Sequence, residues 1–242
     1  MAVDEFHEDG VVPTLNQRGH TSARLNEYSQ RFVESLDGVT APVLDIGAAF
    51  GVCTLPALAT GATVIACDLE PRHMKRLMAA SPDQDRHRLV PIIAEFPTGL
   101  RFADHSLGAV HAANLLNYLA GPELVAATEA LFSWLRPGGR VFTVSGTPYA
   151  RNVQEFIPVY EENVRRGAAW PGEARGLRTM CAHPSIQDLP DFLHLLDPNV
   201  LTREFERVGF VVEEARMYER AGLPDYLRWD GRENVGFIAR KP

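Results

Sequence analysis

Short apolar runs alternate with amphipathic segments along most of the chain, and this alternation predicts its fold. Five of the runs have the length of buried strands: 43–46, 63–67, 90–94, 109–113 and 140–145. Three segments between them have apolar positions at helical spacing: 51–60, 72–80 and 123–135. Strand followed by helix, repeated, is typical of a parallel sheet with helices on both faces.

The same alternation returns near the C-terminus. A helical pattern covers 202–208, and apolar runs at 210–215 and 235–240 predict two further strands. The sequence therefore predicts an α/β fold with a doubly wound, seven-stranded, mostly parallel sheet.

Residues 147–200 interrupt this rhythm. Proline, glycine, arginine and aromatic residues are mixed there, with short helical pieces at 153–164 and 188–196. A plain connection between two elements is normally much shorter. We therefore expect an inserted helical lid over the C-terminal edge of the sheet, where ligands of open α/β folds bind.

The region before the first strand has two parts. Residues 1–22 are polar and unpatterned, whereas the apolar residues from Leu25 to Leu36 recur at helical spacing. We expect a loose tail that leads into a helix over 22–36. Together they would form an N-terminal helical cap over 1–38.

Length and composition limit the remaining possibilities. A chain of 242 residues with 45% hydrophobic content can bury one sizeable core, so a single domain over 1–242 is expected. The net charge of -7 offers no basic field for a nucleic acid backbone, which favours small molecules or proteins as partners.

Cysteine usage and hydropathy bear on the compartment. Cys53, Cys67 and Cys181 are too few and too scattered for a disulfide framework, which indicates a reducing compartment. No apolar run has membrane-spanning length, and the first residues lack the pattern of a secretory signal. A cytoplasmic protein without a membrane partner is expected, and its state as monomer or homodimer stays open.

A glycine-containing loop follows the first predicted strand of the sheet. It reads Asp45-Ile46-Gly47-Ala48-Ala49-Phe50-Gly51, and glycine lets backbone N–H groups approach a ligand closely. Asp68 closes the next strand, where a carboxylate can accept both hydroxyls of a ribose. Loop and acid together indicate a cofactor that contains adenosine. Val52 stands where a dinucleotide-binding turn has its last small residue, which disfavours NAD.

An ordered set of motifs resembles the class I S-adenosylmethionine-dependent methyltransferases of the small-molecule type. The matching segments are Val43–Gly51, Val64–Asp68, Ile92–Phe96, Phe102–Val110, Asn114–Leu119 and Leu135–Arg140. The resemblance covers most of residues 25–146 and 200–242. It is carried by the whole ordered set, which is far more specific than any one motif.

This resemblance implies a Rossmann-like methyltransferase fold and S-adenosylmethionine as the cofactor. It would place the backbone around Asp45 and Gly47 at the methionine end, with Ala49 and Gly51 as further cofactor-binding residues of the same loop. Asp68 would bind the ribose, Leu69, Glu95 and Phe96 would surround the adenine, and Asn114 would lie beneath the sulfonium. The chain departs from the family pattern at two positions. Ala49 replaces the usual middle glycine, and Gly108 replaces the usual aspartate.

Contacts with the methyl acceptor are harder to assign from sequence. Aromatic residues of the N-terminal helix, of the loop after the fourth strand and of the insertion are the candidates: Tyr28, Tyr118, Tyr149, Tyr160 and Trp170. Tyr118 and His183 are candidate general bases. His111 lies within a predicted buried strand, so we expect a hydrogen-bonded interior histidine there. The dispersed histidines predict no metal site.

Methyl transfer to a small-molecule acceptor is the function that these observations favour. Because the sulfonium methyl group is already activated, holding the acceptor in line and excluding water can supply most of the rate. Two alternatives stay open: a protein methyltransferase with an open groove, and a non-catalytic interaction protein that binds the cofactor. A nucleic acid methyltransferase ranks below both, because Asn114-Leu-Leu-Asn117 lacks the Asn/Asp-Pro-Pro-aromatic run of enzymes that methylate base amino groups.

Overall fold

The computed structural model describes residues 11–16 and 19–242. Its first elements are β1 (Val11–Pro13), β2 (His20–Ser22) and α1 (Glu27–Glu34). The alternating core follows with β3 (Val43–Ile46), α2 (Thr54–Ala59), β4 (Val64–Asp68), α3 (Pro71–Ala80), β5 (Leu89–Ile93), β6 (Leu107–Ala113), α4 (Gly121–Trp134) and β7 (Leu135–Gly146). The remaining elements are α5 (Ile157–Arg165), β8 (Glu173–Arg175), α6 (Leu177–Met180), β9 (Phe192–His194), α7 (Pro198–Val208), β10 (Val211–Tyr218) and β11 (Asn234–Arg240).

A seven-stranded sheet forms the centre of the described chain, in the order β10-β11-β7-β6-β3-β4-β5. The five strands from β7 to β5 are parallel, and β10 and β11 are antiparallel to their neighbours. The doubly wound, mostly parallel α/β fold predicted from the hydrophobic pattern is confirmed. The parallel strands β3, β4 and β6 end at one edge, which brings Gly47, Asp68 and Asn114 to the same side of the sheet.

Two hydrophobic clusters cover the two faces of the sheet. One includes α4 and α7, with Leu131 and Phe205 buried. The other includes α1, α2 and α3, with Phe32, Leu58 and Leu77 buried. Apolar layers on both faces explain why the central strands are nearly continuous apolar runs.

Helix α1 is fixed at its first turn and along its buried face. Asn26 is its N-cap, and its side-chain oxygen accepts hydrogen bonds from the backbone N–H groups of Tyr28 and Ser29. The ring of Tyr28 lies directly over Gly236, where an added Cβ would stand 1.8 Å from a ring carbon. The helix therefore packs tightly on the sheet.

The N-terminal tail contains more order than its sequence indicates. Strands β1 and β2 pair as an antiparallel hairpin, and the backbone N–H of Leu15 donates to Nε2 of His73 at 3.0 Å. The expectation of an unpatterned tail over 1–22 is wrong for this part, because strands of three residues are too short to show a period. Residues 1–10 of the predicted cap lie outside the described residues.

The segment after β7 has its own hydrophobic cluster, which includes Phe156, Leu177 and Leu193. The helical piece predicted over 153–164 is confirmed by a short 3₁₀ helix and α5. The helical piece predicted over 188–196 is wrong, because β9 forms there and pairs with β8. The segment is therefore a mixed α/β insertion.

Candidate cofactor and acceptor site

A first cavity of about 190 Å³ opens at the edge where β3, β4 and β6 end. Eight of the nine predicted cofactor residues line it: Asp45, Gly47, Ala49, Asp68, Leu69, Glu95, Phe96 and Asn114. They come from four separate parts of the chain, which the parallel sheet brings together. We call this space the cofactor cavity.

The two loop glycines have different roles. Gly47 has a φ of +74° and lines the cofactor cavity, so the loop turns there without a side chain. Gly51 has a φ of +86°, and an added Cβ would lie 2.2 Å from Cδ1 of Leu77. Gly51 does not line the cavity, and its lack of a side chain instead allows the loop to pack on α3.

Ala49 adopts a left-handed conformation with a φ of 45°. Glycine adopts this conformation without strain, whereas alanine does so at a cost. The Ala49 backbone N–H donates to Oδ2 of Asp68 at 3.0 Å. This hydrogen bond connects the loop after β3 to the acid at the end of β4.

The carboxylate of Asp68 is held from several sides. Besides Ala49, the backbone N–H of Glu70 donates to Oδ1 at 2.9 Å, and Nδ1 of His73 lies 3.1 Å from the same oxygen. Asp68 is only 6% exposed, and its exposed part faces the cofactor cavity. A fixed carboxylate at this position suits a pair of ribose hydroxyls.

An extended hydrogen-bonded chain lies beneath the loop. Nδ1 of His111 is 2.7 Å from Oδ1 of Asp45, and Nε2 is 2.8 Å from the hydroxyl of Ser29. The hydroxyl of Thr54 donates to the second oxygen of Asp45 at 2.5 Å. The expected hydrogen-bonded interior histidine is confirmed, and His111 also lines the cofactor cavity.

Three side chains of the kinds that bind metal ions lie close together in this hydrogen-bonded network. The ligand atoms of Asp45, Cys53 and His111 lie within 4.8 Å of one another, which their sequence spacing does not reveal. Burial and the nearby Asp45 raise the pKa of the Cys53 thiol well above its ordinary value. The thiol therefore stays protonated, and Asp45 and His111 are bonded to each other.

A second cavity of about 180 Å³ adjoins the first. Six residues line both cavities: His20, Thr21, Ser22, Asn114, Tyr118 and Arg220. Eight residues of the insertion line the second cavity: Thr147, Ala150, Asn152, Val153, Ser185, Leu189, Leu193 and Leu195. We call it the insertion cavity.

Of the predicted acceptor contacts, Tyr118 lines both cavities. The other four line neither cavity: Tyr28, Tyr149, Tyr160 and Trp170. Tyr28 is fully buried, and its hydroxyl donates to Glu214 at 2.5 Å. These aromatic side chains stabilise the packing around the cavities.

The insertion's aromatic residues show the same preference for packing. Tyr160 donates its hydroxyl to Asp197 at 2.8 Å, and Tyr149 packs edge-on against it. The indole of Trp170 lies against Gly121, where an added Cβ would be 2.2 Å from the ring. Large aromatic side chains supply most of the buried area that such a segment needs.

The candidate general base His183 packs against an aromatic ring. Its ring stacks on Tyr226 with centroids 5.1 Å apart, and its Nδ1 lies 2.9 Å from the hydroxyl of Ser185. His183 lines neither cavity, whereas Tyr226 lines the insertion cavity. The imidazole therefore supports the cavity wall from behind.

Sequence reasoning missed His20 and Arg220 as site residues. His20 lies on β2, in the tail that was expected to be unpatterned, and Arg220 lies in the loop after β10. Neither belongs to a motif, and only the tertiary arrangement brings them to the junction of the cavities. A lone histidine or arginine in a polar segment carries no sequence signal of its own.

Comparisons with known proteins relate part of the chain to methyltransferases. Residues 43–139 match the family described as a methyltransferase domain. Uncharacterized proteins of Mycobacterium tuberculosis and Mycobacterium bovis are 30% identical to this chain over 218 residues, which cover 76% of this chain and 77% of theirs.

Solved structures give the same answer for the fold. An S-adenosylmethionine-dependent methyltransferase from Methanosarcina mazei aligns with a TM-score of 0.64 and 17% identity, covering 87% of this chain and 96% of that one. The glycopeptide N-methyltransferase MtfA, also solved with S-adenosylmethionine bound, aligns with a TM-score of 0.58 and 18% identity, covering 88% of this chain and 92% of that one. The chain therefore has the fold of the class I S-adenosylmethionine-dependent methyltransferases, and its residues 43–139 match a methyltransferase domain. The cofactor of such methyltransferases is S-adenosylmethionine.

The residues of the cofactor cavity fit this cofactor. The loop has no side chain at Gly47, and Asp68 presents a fixed carboxylate. Leu69 keeps an exposed apolar side chain at the wall, suited to an adenine face. Within the described part of the chain, no helix is both long enough and apolar enough to cross a membrane.

Proposed function

We propose that this chain transfers the methyl group of S-adenosylmethionine to a small-molecule acceptor bound in the insertion cavity. The observation that carries the proposal is the set of six residues shared by the two cavities. A shared wall lets an acceptor in one cavity reach the methyl group of a cofactor in the other. Binding in adjoining spaces supplies the proximity and alignment that methyl transfer needs.

The insertion acts in this proposal as the lid of the acceptor space. Its residues line the insertion cavity and are absent from the wall of the cofactor cavity. Its two ends meet, since the backbone N–H of Leu196 donates to the carbonyl oxygen of Gly146 at 3.0 Å. In this proposal residues 147–200 are an addition to a single domain and cover the edge at which the cofactor binds.

Residues at the junction position the reacting groups. The cofactor, when bound, supplies an activated methyl group, and the protein aligns the acceptor and excludes water. Asn114 has a φ of 53°, and its backbone N–H donates to the carbonyl oxygen of Val144, which fixes the end of β6. His20 and Tyr118 lie at the junction and can accept a proton from a hydroxyl or ammonium acceptor.

A larger acceptor is the rival proposal. The neighbour MtfA acts, by its name, on a glycopeptide. Such an acceptor would need the insertion cavity to open widely. Here Gly19 of the N-terminal hairpin lies close to Leu189 of the insertion and to the Tyr118 hydroxyl, with a Cβ position 3.2 Å from each. This contact favours a closed space and a small acceptor.

A size-fractionated transfer assay tests the proposal. The full chain and methyl-labelled S-adenosylmethionine are incubated with a bacterial extract divided by a filter into small-molecule and protein fractions. After separation from unreacted S-adenosylmethionine, we expect newly labelled products only in the small-molecule fraction, formed together with unlabelled S-adenosylhomocysteine. Label in the protein fraction alone would establish the rival. A protein that binds S-adenosylhomocysteine and labels neither fraction would indicate a non-catalytic role.

A further inference from the structure

Arg220 is an arginine at the junction of the two cavities. It is partly buried and lines both spaces. Among residues 11–16 and 19–242, its guanidinium forms no ion pair and no hydrogen bond. Burial lowers the pKa of Arg220 from its ordinary value, although the nearby Tyr218 and Tyr226 raise it by a smaller amount. A partly desolvated cation without a partner is costly unless a ligand supplies the missing charge.

Several other polar side chains of the insertion cavity are already bonded to the protein, although Nδ2 of Asn234 has no hydrogen-bond partner among the described residues. Asn117 donates to the carbonyl oxygens of Gly146 and His194 and accepts from the Gly146 N–H. Asn152 donates to the hydroxyl of Ser185 at 3.1 Å. Asn117 and Asn152 are occupied within the protein, whereas the donors of Arg220 are available to a ligand.

The one carboxylate that lines the insertion cavity among the described residues is Glu233. Its Oε1 accepts three backbone N–H groups, from Trp229, Asp230 and Gly231, at 2.6 to 2.9 Å. It makes no ion pair with Arg220. The loop amides therefore satisfy Oε1 of Glu233, whereas Oε2 has no hydrogen-bond partner among the described residues. Neither oxygen pairs with Arg220, whose charge stays uncompensated.

The cofactor's own carboxylate has another candidate partner. Arg24 lines the cofactor cavity but not the insertion cavity. Arg220 extends into the insertion cavity, where the rest of the wall is largely apolar, with Val153, Leu223 and Leu227 among its members. An apolar wall with one cation suits an apolar body that carries one anionic group.

We propose that the methyl acceptor is an apolar molecule with a carboxylate or phosphate group, and that Arg220 binds this group in the insertion cavity. The inference rests on the proposed function, because it assigns the acceptor to that cavity. A guanidinium group pairs with a carboxylate or with a phosphate through two parallel hydrogen bonds, so Arg220 can bind either anion in the same way. The anion would orient the acceptor's other end toward the cofactor.

Nuclear magnetic resonance of the Arg220 side chain tests this directly. The protein saturated with S-adenosylhomocysteine is titrated with benzoate, phenyl phosphate and neutral benzamide. The Arg220 Nε–H signal is assigned by its loss in Arg220→Lys. We expect a saturable shift with benzoate or phenyl phosphate, and binding at least about tenfold weaker for benzamide and in Arg220→Met. The anion that binds more tightly identifies the acceptor's group as a carboxylate or a phosphate.

Three outcomes would overturn the inference. The first is that neither anion shifts the Arg220 signal saturably. The second is that Arg220→Met binds the anions as tightly as the parent does. The third is that Arg220→Met weakens the binding of S-adenosylhomocysteine about tenfold while Arg24→Met does not. The last would make Arg220 the partner of the cofactor's carboxylate. The transfer assay tests the proposed function independently. If that function is wrong, the label does not appear in small-molecule products, whether or not Arg220 binds anions.

Discussion

The imidazole of His111 connects the carboxylate of Asp45, 2.7 Å from Nδ1, with the hydroxyl of Ser29, 2.8 Å from Nε2. All three groups are buried beneath the cofactor loop. Strand register explains the first contact, because Asp45 and His111 are direct neighbours on β3 and β6. The contact therefore ties the strand that leads into the loop to the strand beside it.

A double-mutant cycle measures this contact. Asp45→Asn and His111→Ala should show a coupling free energy of about 1–3 kcal/mol in urea unfolding, because a buried carboxylate loses one of two donors. Asp45→Asn with Val164→Ala is the matched cycle, with coupling below about 0.5 kcal/mol, since Val164 is an exposed residue of α5 outside this network. Equal coupling in both cycles would show that the Asp45–His111 bond is not the connection.

Asp68→Ala should weaken binding of S-adenosylhomocysteine by about 1–3 kcal/mol, measured by calorimetry, because two ribose hydroxyls lose a charged acceptor. Glu70→Ala is the control, since Glu70 is a carboxylate two residues away that does not line the cavity. It should leave the dissociation constant unchanged. A folded Asp68→Ala protein with the parent's affinity would show that the ribose partner is misassigned.

Alanine at the two loop glycines should separate binding from folding. Gly51→Ala should lower the free energy of unfolding by about 3 kcal/mol, from left-handed strain and the clash with Leu77. Gly47→Ala should cost about 1–2 kcal/mol of stability and also weaken S-adenosylhomocysteine. Thermal unfolding with and without the ligand distinguishes them. If the ligand stabilised both variants as much as the parent, Gly47 would have no role in binding.

The pKa of Glu214 predicts a pH-dependent contribution to stability. Burial raises this pKa, but hydrogen bonds from Tyr28, Arg31 and Arg216 outweigh burial and lower it to about 2. Because the folded value lies below the unfolded one of about 4.3, the contribution is present above pH 4.3 and is lost as the pH falls toward 2.

Glu214→Gln should therefore lower the free energy of unfolding by about 1 kcal/mol at pH 7, a value reduced for the solvent exposure of both arginines. The loss should shrink as the pH falls from about 5 to 2. Urea unfolding at several pH values measures it, with the exposed Glu219→Gln as control. A pH-independent loss would mean that the carboxylate's charge is not what stabilises the fold.

Much of the sheet could be predicted because its strands are buried on both faces. Runs such as Val43–Ile46 are apolar throughout, and each is followed by a helical period. The cofactor loop was found for a related reason. Backbone approach requires glycine, and Asp68 ends the next strand, so both features leave local marks in the sequence.

The residues at the junction with the insertion cavity show no comparable pattern in the sequence. His20 and Arg220 reach the junction through a three-residue strand and a loop, and neither shows a period. Tyr160 and Trp170 were predicted as acceptor contacts on their residue type alone. In the structure Tyr160 is buried in the insertion's own hydrophobic cluster, and the partly buried Trp170 packs against the cluster that includes α4 and α7.

Filling the insertion cavity tests the central claim most directly. Ala150 lines that cavity and not the cofactor cavity, whereas Val164 of α5 is an exposed residue of the same insertion. With an acceptor from the transfer assay, Ala150→Trp should lower kcat/KM at least about 100-fold and leave the dissociation constant of S-adenosylhomocysteine within about twofold. Val164→Trp should match the parent in both. Parent-like turnover by folded Ala150→Trp protein would place the acceptor elsewhere and contradict the account.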